Sequence, residues 1–290
     1  MQASPIDLSA LPPSRVRTQV WIAVGVITAL MALLYTGVIA EMARAWMHEM
    51  GASHGMLIPP LVAWLVWVDR KRILAAKVQP DNWGLLLLIP AAGLYLLGRL
   101  GAEFFLTRIS LILNLTAFIW TFWGRARLAA LAFHLLLLST MIPIPQLVYK
   151  SLSAPLQLLA STIAAQLAQA ASVTVYQDGN IIHLANVSLG VEEACSGMHS
   201  ISALMVGSLL VGFLQLGRPW LRLVLFVSSF PIAIMANVIR VTGTAILADR
   251  WEQAAMGFYH YFSGWVVFLT AFGLLWAVMK ALQAVERRLA

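Results

Sequence analysis

Charge is scarce in this chain. Only 11% of its 290 residues are Asp, Glu, Lys or Arg, 61% are hydrophobic, and the mean hydropathy is +0.83. Soluble domains carry about 25% charged residues, so the composition excludes an ordinary soluble domain and points to an integral membrane protein. Cysteine is scarcer still. Cys195 stands alone, which excludes an intrachain disulfide framework and a Cys-rich metal site. There is no internal repeat, dinucleotide fingerprint, P-loop or HExxH sequence. Neither a metal nor an organic cofactor is expected. The net charge of +7 does not imply nucleic acid; in a membrane protein the question is which side the basic residues occupy.

What the chain does have is long apolar runs. After a polar stretch with Pro5, Pro12, Pro13, Arg15 and Arg17, read as a flexible cytoplasmic tail over 1–19, the run 20–40 is long enough to span a bilayer. Val38-Ile39-Ala40 faintly resembles a signal-peptidase site, but the run is too long for a signal segment and many spans follow. Further runs lie at 55–68, 83–100, 104–123, 127–148, 196–216, 220–248 and 262–282. The expected fold class is therefore an all-α polytopic membrane protein of about eight transmembrane helices, with 20–290 forming a single membrane domain and no C-terminal periplasmic domain fused to it. The run 55–68 is short and carries Pro59-Pro60, so a tilt, kink or re-entrant path is expected there.

Basic residues orient this bundle. With the N-terminus in the cytoplasm, thirteen Lys and Arg fall inside and six outside, the latter being Arg44, Arg99, Arg108, Lys150, Arg240 and Arg250. That asymmetry obeys the positive-inside rule and puts both termini in the cytoplasm. The balance depends on 151–172 not crossing. Gln157, Ser161, Thr162, Gln166, Gln169 and Ser172 gather on one side of a helical wheel there and Leu156, Leu159, Ile163 and Leu167 on the other, which suits a helix lying in the outer interface. After it, Asp178-Gly179 between alternating β-branched residues signals a small β-hairpin on the outer face.

Three chemistry-bearing residues then fall at one depth. Cys195 opens the run 196–216, Arg240 lies near the outer end of 220–248, and His260 opens 262–282. A thiol at a helix start is favoured as thiolate by the peptide dipoles and unpaired amides. An imidazole nearby can hold that thiolate and later protonate a leaving amine, while a guanidinium can stabilise an oxyanion or orient a scissile carbonyl. The amides of Ser196 and Gly197 are further oxyanion donors. His199, at i+4 from Cys195, competes with His260 for the base role. Asn237, one turn before Arg240, shares its face, and Glu193 with Glu192 can orient the base or recognise a cation. Each residue also has a plainer role open to it. Cys195 can be a buried small hydrophobe, Arg240 a headgroup anchor, His260 part of an aromatic belt with Tyr259, Tyr261 and Trp265, and Glu193 a favourable first-turn charge.

These residues sit in segments that resemble the exosortases, bacterial relatives of the archaeosortases. The resemblance rests on Ser53-His-Gly-Met-Leu-Ile-Pro-Pro60, Met141-Ile-Pro-Ile-Pro145, the Asp-Gly hairpin followed by Glu193-Ala-Cys-Ser-Gly197, Asn237-Val-Ile-Arg240, and His260-Tyr-Phe-Ser-Gly-Trp265, in that order. It implies a membrane cysteine protease or transpeptidase with Cys195 as nucleophile, Arg240 as basic partner and His260, rather than His199, as acid/base. It further implies secreted protein substrates whose C-terminal signal is a Pro-Glu-Pro-like motif, a spanning helix and a basic tail, cut at the outer face of a bacterial inner membrane. The implied setting is exopolysaccharide production; the acyl acceptor is left open, and the expected surroundings are membrane lipid, not nucleic acid.

Overall fold

The structure, a computed structural model, describes residues 13–48, 52–191, 198–251 and 258–289, with the backbone alone at 13–21, 23, 198–199 and 258–261. It is mostly helical. In chain order the elements are α1 (Pro13–His48), a short 3-10 turn (Ser53–Leu57), α2 (Ile58–Val68), α3 (Arg70–Ala75), α4 (Trp83–Leu100), α5 (Phe104–Ser139) and α6 (Gln146–Ala170). Three strands follow, β1 (Val175–Asp178), β2 (Ile181–Leu184) and β3 (Ser188–Gly190), then α7 (Met198–Gln215), α8 (Pro219–Arg250) and α9 (Phe258–Arg288). Helix α1 starts inside the stretch expected to be a tail.

Among the described residues, five helical segments are long and apolar enough to cross a membrane: Val24–His48, Trp83–Leu100, Phe104–Ser139, Pro219–Arg250 and Phe262–Arg288. Eight separate spans were expected, and the difference has two sources. The runs 104–123 and 127–148 fall largely in one helix, α5, broken at Gly124. The run 55–68 falls in the short apolar segment Ser53–Val68, and 196–216 falls in α7, whose 18 residues are at the lower limit for a span.

The chain divides into two compact units. The first comprises Met1–Ala45 with Val66–Ala132. In it α4 turns a seven-residue repeat of small side chains, Gly84, Ala91 and Gly98, inward, while Leu85, Leu86, Ile89, Leu96 and Leu97 are exposed. Gly84 meets Thr121 and Gly98 meets Thr107, both on α5. Close backbone approach through small residues, with leucines outward, is how helices pack where lipid gives no hydrophobic drive. Three polar side chains link α1 to α5 here: Tyr35 Oη lies 2.8 Å from Ser110 Oγ, and Asn114 Nδ2 donates to Tyr35 Oη at 2.6 Å.

Gly124 makes the break in α5. Its φ of 83° and ψ of 175° lie in a region essentially reserved for glycine, and Gln79 and Asp81 pair their amides with the carbonyls of Trp123 and Thr121 across the kink. Arg127 Nη2 donates to the carbonyls of Leu74 and Ala76 at 3.3 and 3.4 Å, and Arg72 Nη2 donates to that of Ala130 at 3.0 Å. Two basic clusters distant in sequence thus meet at one end of this unit. There Trp120 Nε1 and the Trp83 amide donate to the Asp81 carboxylate, holding its pKa below the usual carboxylate range.

The second unit comprises Trp46–Leu65 with Phe133–Ala290, and α8 is its axis. One apolar cluster joins Leu221, Leu225, Ala233 and Ala236 of α8 to Ile201, Leu204 and Val211 of α7, to Ala271, Leu275 and Met279 of α9, and to Tyr149 of α6. A second joins Val241, Ala245 and Ala248 of α8 to Ala164, Ala165 and Ala168 of α6 and to the sheet residues Val175, Ile182, Leu184 and Leu189.

The sheet is antiparallel in the order β1-β2-β3, with Asp178 opposite Ile181 and Ile182 opposite Leu189. The turn residues are Gly179 and Asn180. Gly179 has φ of 58° and Asn180 is not among the described non-glycine residues with positive φ, a pattern that fits a type II′ turn centred one residue later than Asp178-Gly179 suggested.

Helix α6 covers most of the stretch read as a helix with one polar and one apolar side. Its Ser153, Gln157 and Ser161 are buried against the protein, and Leu158, Leu159 and Leu167 are exposed. Its polar side is divided: Gln157 and Ser161 face the protein, Thr162 is half-buried, and Gln166, Gln169 and Ser172 are exposed. The inward part is satisfied, with Ser161 Oγ donating to the Gln157 carbonyl at 2.6 Å and Gln177 Nε2 of the hairpin donating to Thr162 Oγ1 at 3.0 Å.

The α7–α8 connection is clamped by the far end of α9. The Glu286 carboxylate accepts from the amides of Gly217, at 3.1 and 3.2 Å, and Arg218, at 2.8 Å, at the N-terminus of α8, where negative charge is favoured. Removing it by Glu286→Ala is expected to cost about 1 kcal/mol. In a detergent melting experiment that reads as a fall of about 2–4 °C; an unchanged melting temperature would contradict the clamp.

Candidate functional site

Two contacts fix the run of α9 beside α8. At one end Glu286 holds Arg218; at the other Gly264 faces Arg240, where a Cβ would lie 3.7 Å from the guanidinium carbon. Arg218 to Arg240 and Gly264 to Glu286 are each 22 residues, about 33 Å at 1.5 Å per residue, so the helices run antiparallel with Arg240 at the end remote from the clamp. Helix α7 follows the same geometry. Its last residue, Gln215, accepts from Gln283 Nε2 at 3.0 and 3.1 Å, and Gly207 meets the Phe272 ring midway. From Gln215 back to Met198 is about 26 Å of helix, so the first turn of α7 rises toward the end that carries Arg240.

Arg240 is half-buried and Asn237 buried, and both lie between the two apolar clusters of α8. Ser263, preceding Gly264 on α9, is buried as well. A Cβ at 264 would be in ordinary van der Waals contact with the guanidinium, so the Arg240 side chain lies along the seam between α8 and α9. Arg240 also anchors its own helix locally, its carbonyl accepting from Thr244 Oγ1 at 2.9 Å.

Of the residues expected to do chemistry, Asn237 and Arg240 thus lie one turn apart on α8, Asn237 buried and Arg240 beside Gly264 of α9. His199 and His260 fall in the first turns of α7 and α9, where the backbone is helical. Position 260 is one turn before Gly264 and so on the same face of α9. Glu193, Cys195, Ser196 and Gly197 lie outside the described residues, between Val191 and Met198. Ser263 and Gly264 entered the sequence reading only within the segment His260–Trp265, without a role of their own, and Asn180 was given none. A Ser-Gly pair within an apolar helix was the available signal for the first two; nothing local marked Asn180.

Buried polar groups at the common end of three packed helices, beside a small sheet, define the class: a polytopic helical membrane protein with its polar centre near one end of the bundle. The sequence itself gives the family. Residues 46–277, most of the chain, match the family described as transmembrane exosortase (Exosortase_EpsH), and the chain belongs to that family. No curated protein and no solved structure gives a match.

Proposed function

We propose that this protein is a membrane-embedded cysteine transpeptidase acting on secreted proteins at the outer face of a bacterial inner membrane. Its substrates carry a C-terminal signal made of a short Pro-Glu-Pro-like motif, a spanning helix and a basic tail. Family membership supports a membrane sorting role in general. The observation that carries the finer reading is the antiparallel run of α8 and α9, which sets Arg240 about 33 Å from the basic end holding Arg218, Arg222, Lys280, Arg287 and Arg288, close to the thickness of a hydrocarbon core. Basic residues at the cytoplasmic end leave Arg240 at the outer one, where a substrate helix anchored by a cytoplasmic basic tail would present its scissile bond.

In this reading the Cys195 thiolate attacks the scissile carbonyl carbon. Arg240, with the amides of Ser196 and Gly197, takes the charge that develops on the carbonyl oxygen. The C–N bond breaks as His260, protonated, gives its proton to the departing amine, leaving a thioester on Cys195 and a neutral imidazole. An acceptor nucleophile then attacks the thioester, its proton passes to His260, and the thiolate is released. Asn237 supports Arg240 from one turn before it, and Glu193 and His199 flank the nucleophile in sequence. Water as acceptor makes the enzyme a hydrolase; an amine or hydroxyl makes it a transferase. A structural Cys195 in a non-enzymatic export component is the reading from another class.

Cys195→Ala is expected to abolish processing of a signal-bearing protein, read by immunoblot, with the variant still in the membrane. Intact processing would reject the nucleophile role. The mass of the processed C-terminus separates a free carboxylate from a transferred acyl group.

A further inference from the structure

The last described residue before the cysteine segment is held in an unusual way. Val191 is buried, and both of its backbone polar groups are satisfied by a single residue. Its amide donates to the Asn180 carbonyl at 2.8 Å, and its carbonyl accepts from Asn180 Nδ2 at 3.1 Å. The ladder between β2 and β3 ends at the pair Ile181–Gly190, so Asn180 extends it by one position, with its side chain supplying a bond to the Val191 carbonyl. The same Nδ2 donates to Gln157 Oε1 at 3.3 Å, and Gln157 Nε2 reaches Ser153 Oγ at 3.4 Å, both residues buried on α6. A polar chain thus runs from the inward stripe of α6, through the hairpin turn, to the residue from which the cysteine segment departs. Cys195 is four residues on, at most about 14 Å of extended chain.

We infer that Asn180 is a positioning residue for Cys195, acting through Val191 and anchored on α6 by Gln157. The inference rests on the reading of Cys195 as nucleophile, and it deepens that reading. A buried polar stripe on α6, otherwise costly to keep, gains a purpose. It gives the sheet a fixed point on a long helix, and the sheet transmits that point to the start of the cysteine segment. An error of about 1 Å in a reacting group can lower a rate on the order of a hundredfold, so one well-made hydrogen bond at this point matters more to catalysis than to stability.

The experiment uses the full-length enzyme in the membrane with Asn180→Leu, which removes the amide without adding charge, and Asn180→Asp, which keeps the shape. Both are expected to lower kcat for processing by about tenfold or more with KM little changed. Membrane level should remain close to that of the wild type, and the melting temperature should fall by no more than a few degrees, from the acceptors left without a donor. Because the chain has one cysteine, a maleimide reports on Cys195 alone, and the pH profile of its alkylation should shift in both variants. An unchanged profile with unchanged kcat overturns the inference, as does an effect confined to Asn180→Asp, which would be the added charge. If neither variant reaches the membrane, Gln157→Leu decides. It releases Asn180 from α6 and is expected to lower kcat about fivefold, the value of one hydrogen bond; wild-type kcat there also overturns the inference. Failure of the nucleophile reading looks different, since it shows as processing that survives Cys195→Ala.

Discussion

Exchanging Arg240 for lysine is expected to lower processing by about 10²–10³-fold, the usual consequence of losing an aligned oxyanion donor. The substitution keeps the charge, so the result separates two roles. An arginine that only anchors α8 among headgroups is replaced well by lysine, which snorkels equally. An arginine that presents a fixed fork of donors to a developing oxyanion is not, because an ammonium is a compact point charge on a flexible stem. The seam favours the second role. The guanidinium lies alongside Gly264 of α9, where an added Cβ would be 3.7 Å from its carbon, and Asn237 one turn earlier is buried. Melting temperature and membrane level of Arg240→Lys should stay near wild type, with the loss in kcat. Full activity in this variant would remove Arg240 from the chemistry.

Gly124→Ala is expected to be strongly destabilising. At φ 83° and ψ 175° a residue with a Cβ carries roughly 1–3 kcal/mol of backbone strain. The space is closed too: the new Cβ would overlap the Gln79 carbonyl oxygen and lie 2.7 Å from its carbon, backbone atoms that cannot swing aside. Relief requires breaking the pairing of Gln79 and Asp81 with the kink, so the total should exceed about 3 kcal/mol. Thermal denaturation in detergent, or the steady amount of protein in the membrane, reads this directly. A melting temperature equal to wild type would show that the chain runs differently through 121–124.

The kink itself was legible. Gly124, followed by Arg125 and Arg127, interrupts an apolar stretch, and both sequence and structure break there, although the helix resumes at once. The turn at Asp178-Gly179 was legible as well, shifted by one residue because Gly179, not Asp178, is the first central position. Strand β3 was not, since Ser188–Gly190 is too short to show alternation. Helix α6 shows the deeper limit. A helical moment separates polar from apolar faces but does not say which faces the protein; in a membrane the apolar face is the one that meets lipid, and Gln157 and Ser161 turn inward to the hairpin and α8. At the candidate site, Arg240 and Asn237 were found from their cost within an apolar helix. Asn180 and Gly264 were not, because their importance comes from Val191 and Arg240, which only the fold brings to them.

The central claim is that an acyl group passes through the one thiol of this chain. Incubating the full-length enzyme with a signal-bearing substrate, quenching in acid and measuring the intact mass tests it most directly. The expected result is an adduct of the substrate fragment on Cys195, released by hydroxylamine and missing from Cys195→Ala. Substrate cleaved at the wild-type rate by Cys195→Ala, with no hydroxylamine-sensitive adduct on the wild-type enzyme, would contradict it.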